Sequence, residues 1–482
     1  MKNITKNIFL NTLACPSLGW LLRTNKAFRQ DDYATRFRMG QGIKIGEMAR
    51  SLYGNGLLIK ELKISEAVNH TKKEIQKKEK ILFEAAFQYE NFISRADILI
   101  NNSKTWQMYE VKSSLNDKPE YIDDMAYTVL IAKMNGLVIE KVSLLLLSRD
   151  YRLGQPVSTM FNEIDHTEDV LSRISEFKPL LEMVQQFCFA EQKPDTTLKF
   201  ECKKCNEFSD CFEDSPTHHI FDIPRLSKPK FDQLKDLNIL NIADIPAAFP
   251  LTANQEIVRK SVQSDTHYIS ENLPALMTVV NWPAYYLDFE TVMTALPLYP
   301  DIAPHSQILT QYSIHKCVSP DNENDTEHFE FLAEPSKDSR KELTEQLIND
   351  LGGSGSIIVY SHFEKTQLSG LMKTFPEYMS QLQRIIDRLV DLEAIIRKGF
   401  YHPDFHGSTS IKKTLPALVP EMSYDGMAIS NGENAMAAFA MMAQKQVDTD
   451  KMQAIKEDLL KYCEQDTYAM VRLHSKLFEF LE

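Results

Sequence analysis

Two groups of acidic side chains and one group of cysteines hold most of the chemistry this chain could perform. In YYLDFETV, Asp288 and Glu290 stand two residues apart. On a strand, alternate side chains share a face, so both carboxylates would point to the same side. Near the chain end, LLKYCEQDTYAMVRLHSKL has a helical pattern, and Tyr462 and Asp466, four apart, would share one helix face. Between them, SIIVYSHFEKTQLSGLMKTF gives an apolar strand and then Glu364 at the head of an amphipathic helix, with His362 two residues earlier. Carboxylates converging from one strand and two helices are hard oxygen ligands suited to Mg2+ or Mn2+.

The second acidic group lies in RADILINNSKTWQMYEVKSS at 95–114, which reads as strand, turn and strand, a β-hairpin. Alternation places Glu110 and Lys112 on one face, and Asp97 on the preceding strand can reach it. Two carboxylates and a lysine can hold a divalent metal and orient a water for attack on a phosphodiester. Glu47 in KIGEMARSLYG and Glu84 in ILFEAAF compete for the place of an additional carboxylate. The cysteines are Cys15, in LACPSLGWLL, and Cys202, Cys205 and Cys211, in ECKKCNEFSDCF. Their spacing suits thiolates around one soft metal centre, and a four-ligand site would tie together the two ends of a domain.

These residues need several elements to position them. A chain of 482 residues is too long for one core, so two or three domains are expected. Residues 1–215 form a first unit closed by the cysteine trio. Residues 216–279 form a helical connector of short, proline-punctuated segments, in which LKDLNILNIADIP loosely resembles a helix-hairpin-helix unit without its hairpin glycine. Residues 280–482 alternate strands and helices, as in an α/β fold. No apolar run approaches membrane-spanning length, and the basic-then-apolar start is broken by Asn11, Pro16 and Ser17, against an export signal. Seven cysteines, an odd number, fit reduced thiols in the cytoplasm. Cys188, Cys317 and Cys463 read as buried hydrophobes. The net charge of −13 argues against broad non-specific nucleic-acid binding but leaves room for a metal-assisted nuclease. The basic run TKKEIQKKEK at 71–80 reads as a solvated helix face.

An aspartate followed thirteen residues later by Glu-x-Lys resembles the PD-(D/E)XK nuclease signature. With one early and three late cysteines around it, the first unit resembles RecB-like exonucleases, in which an iron–sulfur cluster staples the nuclease domain. The resemblance implies a restriction-endonuclease-like fold, Asp97, Glu110 and Lys112 as catalytic residues, Glu47 as an added metal ligand, and Cys15, Cys202, Cys205 and Cys211 holding a 4Fe-4S cluster. A structural zinc site would also accept four thiolates. The family's last motif, a helix with Gln and then Tyr, would fall in YIDDMAYTVLIAKMNG, where Thr128 and Leu130 stand instead.

The D-x-E strand and Y-x-x-x-D helix resemble DEDD exonucleases of the RNase H-like fold, in the branch that uses tyrosine. That resemblance implies two-metal hydrolysis. Asp288, Glu290 and Asp466 would hold one ion, Asp288 would share the second, and Tyr462 would orient the water. Glu364 takes the place of the usual intermediate aspartate, and Asp391 resembles the aspartate that often follows. Together with DFHGSTSIKKTLP at 404–416, these motifs resemble an uncharacterised bacterial family that joins both modules. Lys412 in that stretch could approach a phosphate backbone, although a surface lysine is the plainer reading. The expectation is a cytoplasmic, metal-dependent nuclease of 3′–5′ exonuclease type, with nucleic acid as its partner, DNA in preference to RNA, and no membrane association. Its role would be DNA repair, recombination or defence. An RNA-processing exonuclease and a non-catalytic nucleic-acid-binding scaffold remain the alternatives.

Overall fold

The structure, a computed structural model, describes residues 3–26, 32–320 and 326–481. It is mixed α/β and falls into two compact units. The first comprises Met1–Lys199, Cys205–Cys211 and Met293–Ser306; the second comprises Phe200–Lys204, Phe212–Val292 and Gln307–Glu482. The segment anticipated as a separate connector is thus part of the second unit, and a short excursion after Val292 belongs to the first. The excursion joins because it packs there. Gln41 accepts a hydrogen bond from the Leu296 amide, and Ala295 packs with Ile45, Leu147, Tyr151 and Met160.

The first unit is built on a six-stranded sheet in sequential order, β1 (Leu57–Leu58), β2 (Ile81–Tyr89), β3 (Phe92–Asn102), β4 (Thr105–Lys112), β5 (Ile139–Leu147) and β6 (Phe161–Asp165). The β2–β3 and β3–β4 pairs are antiparallel, and β4–β5 is parallel. Parallel pairing needs a crossover, supplied by the helix Pro119–Met134. Residues Met125–Ala132 of that helix are all buried, as expected of an element covered on every side. Tyr127, within it, packs 5.0 Å from Phe9 and donates to the Ile4 carbonyl at 2.8 Å. This pins the N-terminal segment, which also pairs through Ile4 with Phe92, to the sheet.

In the second unit, β7 (Tyr268–Ile269) and β13 (Phe400–Tyr401) form a two-stranded ribbon. The main sheet contains β8 (Ala284–Met293), β9 (Gln307–Cys317), β10 (Glu327–Leu332), β11 (Ser356–Val359) and β12 (Leu389–Asp391), in the order β10-β9-β8-β11-β12. The β10–β9 pair is antiparallel, whereas β8–β11 and β11–β12 are parallel. On β8, Tyr285, Leu287 and Phe289 enter the core with Leu343, Leu347 and Leu368. The opposite face of the strand carries Tyr286, Asp288 and Glu290, as period-2 alternation requires. That face meets the helix Thr449–Glu479, where Tyr286 bonds His474 at 2.7 Å and the Cys463 thiol lies 3.6 Å from Asp288.

Candidate metal centres

In the second unit, one carboxylate oxygen from each of Asp288, Glu290 and Asp466 lies within 4.8 Å of the others. Alternate positions on β8 supply the first two and the long helix the third, so the cluster follows from strand and helix periodicity. Asp466 is 8% exposed, and its carboxylate accepts hydrogen bonds from Tyr424 and Tyr462. Glu364 is 3% exposed at the second position of the helix Phe363–Thr374, and its Oε2 is buried without a hydrogen-bond partner. Asp391 caps the helix Leu392–Gly399 by accepting from the Ala394 amide at 2.9 Å, a structural task.

Crowding buried carboxylates raises their proton affinity. Burial, then Asp466, Glu364 and Glu290, push Asp288 well above its ordinary value. Burial and Asp466 push Glu290 up to about 8, with Lys412 opposing. Burial raises Glu364 to about 7, and burial also lifts Asp466 to about 6 despite the two tyrosine hydrogen bonds. Burial, with Asp466 nearby, drives the Tyr462 and Tyr424 hydroxyls upward, so they stay protonated as donors. A divalent cation would remove this repulsion. The hard oxygen donors and the orphaned Glu364 oxygen fit Mg2+ or Mn2+.

One participant carries no sequence signal, and Lys412 and Cys463 take fuller roles than the sequence implies. Tyr424 comes from a loop that carries no motif. Lys412 acts on Glu290 and Asp466 and donates to the Ser430 carbonyl at 3.0 Å, so it faces the acidic cluster. Cys463 is fully buried, and its thiol donates to the Asp288 carboxylate, a polar role beyond that of a hydrophobe. Within this unit, a cavity of about 810 Å3 is lined by Arg225, His362, Arg397, Tyr401 and Thr409 among others. His362 immediately precedes the Glu364 helix.

The first unit brings Asp97, Glu110 and Lys112 together. Asp97 Oδ2 accepts from the Val111 amide at 2.7 Å, and Lys112 lies 3.0 Å from Glu110. Glu84 faces the same pair: it stands at the position left unpaired between Phe83↔Ile98 and Ala85↔Ala96, with a left-handed φ of 55°. Burial, together with Glu110 and Glu84, pushes Asp97 up to about 8. Glu47 is exposed on the helix Tyr33–Ser51, so Glu84 is the extra carboxylate that acts on Asp97 and Glu110. Two unforeseen residues complete the group. Lys6 donates to Glu110 at 2.7 Å, and Lys112 also donates to Asp124. Burial alone would raise Glu110, but Lys6 and Lys112 outweigh it and hold the carboxyl near about 2. Thr128 and Leu130 lie buried in the crossover helix, where Thr128 donates to the Asp124 carbonyl.

All seven cysteines are free thiols. Cys188 is buried against Thr12, and Cys317 is buried. Cys15, Cys205 and Cys211 belong to the first unit and are half-buried. Cys211 is raised mainly by burial, with Cys15 and Cys205 also acting on it, so these three sulfurs are neighbours. Cys202 is half-buried on the turn Phe200–Lys204.

No helix among the described residues is long and apolar enough to cross a membrane. The chain is similar to the uncharacterized protein MG366 of Mycoplasma genitalium, at 24% identity over 208 residues, which covers 39% of this chain and 31% of that protein. It is also similar to the MG366 homolog of Mycoplasma pneumoniae, at 25% identity over 215 residues, 41% of this chain and 32% of that protein. The chain thus spans about a third of the length of the curated relatives it matches. Residues 285–410, which run from β8 through Glu364 to the DFHGSTS stretch, match a domain of unknown function, DUF2779.

Proposed function

We propose that this protein is a metal-dependent nuclease that hydrolyses phosphodiester bonds at the cluster of Asp288, Glu290, Glu364 and Asp466. The single observation that carries the reading is the convergence of three carboxylate oxygens within 4.8 Å, with one oxygen of a fourth buried carboxylate, Glu364, lacking a hydrogen-bond partner. Divalent ions bound there would lower the pKa of an attacking water and stabilise the leaving oxygen. Tyr424 and Tyr462 hold Asp466 in place through their hydroxyls. Lys412, close enough to act on Glu290, could meet a phosphate of the substrate. The strand order β10-β9-β8-β11-β12 supports an RNase H-like assignment, and the strand–crossover–strand arrangement around Glu110 supports a PD-(D/E)XK-like one. Arg225, Arg397 and His362 around the cavity favour an anionic ligand, taken here as nucleic acid, DNA before RNA, in the cytoplasm. Cys15, Cys205 and Cys211 of the first unit would hold a 4Fe-4S cluster or alternatively zinc, as a staple rather than a redox catalyst.

A second reading concerns the first unit. Glu110 is already neutralised by Lys6 and Lys112, which favours a silent or structural site there over a second hydrolytic one. Cleavage of end-labelled single- and double-stranded DNA and RNA, with Mg2+ or Mn2+, tests both readings. Asp288→Asn should abolish metal-dependent hydrolysis; unchanged cleavage would refute the assignment. Lys112→Met should leave that activity intact if the first site is silent, and reduce it if that site also cuts.

A further inference from the structure

The stretch DFHGSTS has no role at the carboxylate cluster, yet it carries ligand chemistry of its own. His406 lies against Asp222, 184 residues earlier, with Nδ1 3.0 Å from Oδ2. The His218 ring stacks on His406 with centroids 5.3 Å apart. One ligand atom from each of His218, Asp222 and His406 lies within 4.8 Å of the others, and all three residues are half-buried within the second unit.

The backbone is shaped to bring these groups together. His406 adopts a left-handed φ of 48° at the end of the turn Pro403–Phe405. Gly407 follows at φ +71°, and a Cβ there would come within 1.5 Å of the Asp222 carbonyl oxygen. Only glycine permits that approach. On the other side, Ile220–Asp222 is a short turn fixed by the His219 ring, which accepts from the Phe221 amide. A left-handed non-glycine residue persists where its surroundings over-determine it, commonly at a ligand clamp. His315, His328 and Glu464 form a comparable trio, but Thr467 and Ser313 already engage the two imidazoles.

We infer that His218, Asp222 and His406 form a zinc site, separate from the carboxylate cluster and from the cysteines, that clamps the turn at 220–222 to the turn at 403–405. Two borderline imidazoles and one carboxylate oxygen suit Zn2+, and three protein ligands leave a fourth position for water. Tetrahedral zinc with bonds of about 2.0–2.1 Å sets its ligand atoms about 3.3 Å apart, inside the range these atoms already span. Lys413 acts on the Asp222 carboxylate, and zinc would have to outcompete it.

The test uses the full chain from zinc-supplemented culture, with zinc measured per chain and Co2+ exchanged in as a spectroscopic probe. Wild type should hold one zinc equivalent that is absent in both His218→Ala and His406→Asn and retained in Cys205→Ser. Asparagine tolerates the left-handed backbone, so the second variant keeps the turn. The Co2+ spectrum of wild type minus that of His406→Asn should show d–d bands without thiolate charge transfer. A chelator should lower the melting temperature of wild type more than that of His406→Asn. Zinc content unchanged in both histidine variants, or no melting response to the chelator in wild type, would overturn the proposal.

Discussion

Glu290→Gln in metal-free protein isolates the electrostatic cost of the carboxylate cluster. Burial and Asp466 hold Glu290 at about 8, against an ordinary value of 4.5. The folded carboxyl therefore keeps its proton where the unfolded one has lost it. Stability from this group is complete below about pH 4.5 and is lost as pH rises to about 8. A gap of roughly three pH units, at about 1.4 kcal/mol each, gives on the order of 4 kcal/mol. The remaining solvent contact of Glu290 cuts this to about 2 kcal/mol. In chelator, wild type should lose stability from pH 5 to pH 8, and Glu290→Gln should lose about 2 kcal/mol less, a melting difference of roughly 4–8 °C at pH 8 and near none at pH 5. Asp97 titrates in the same window but is common to both proteins, while Glu110, held near about 2, acts only in acid. Calorimetry at four pH values with and without Mn2+ reads the effect, and Mn2+ should flatten the wild-type profile. Parallel pH profiles for the two proteins would refute the reasoning.

Lys6→Ala should free one Glu110 oxygen from a charge-assisted hydrogen bond worth about 1.5 kcal/mol, and so tighten Mn2+ binding at the first site roughly tenfold. Titration calorimetry on an Asp288→Asn background would read this site alone. Tyr424→Phe removes a buried donor to Asp466 and should cost about 2 kcal/mol in chelator, seen as a lowered melting temperature of the second unit. Cys15→Ser should lower iron content and the melting of the first unit while sparing the second; full iron retention would exclude Cys15 as a ligand.

The parts of the site legible in the sequence lie within single elements. Asp288 and Glu290 share a strand face, and Asp466 and Tyr462 share a helix face, because periodicity of 2.0 and 3.6 residues fixes them before any packing is known. The hairpin around Asp97 and Glu110 was equally open to reading, since Asn-Asn-Ser-Lys breaks two apolar runs. Partners supplied by distant segments were not. Lys6 reaches Glu110 across 104 residues and Tyr424 reaches Asp466 across 42, and no local pattern encodes either. Glu84 and Glu47 are equal candidates in the sequence, and only the left-handed backbone of β2 opposite Asp97 separates the two. The excursion of Met293–Ser306 is not legible in the sequence either, because it is held by the Gln41 side chain rather than by any change in composition.

Anomalous diffraction from crystals grown with Mn2+ tests the metal centre most directly. Manganese peaks are expected bounded by Asp288, Glu290 and Asp466, two of them about 4 Å apart when nucleotide is present, and none in Asp288→Asn. Manganese absent from this cluster, or retained there in Asp288→Asn, would contradict that assignment.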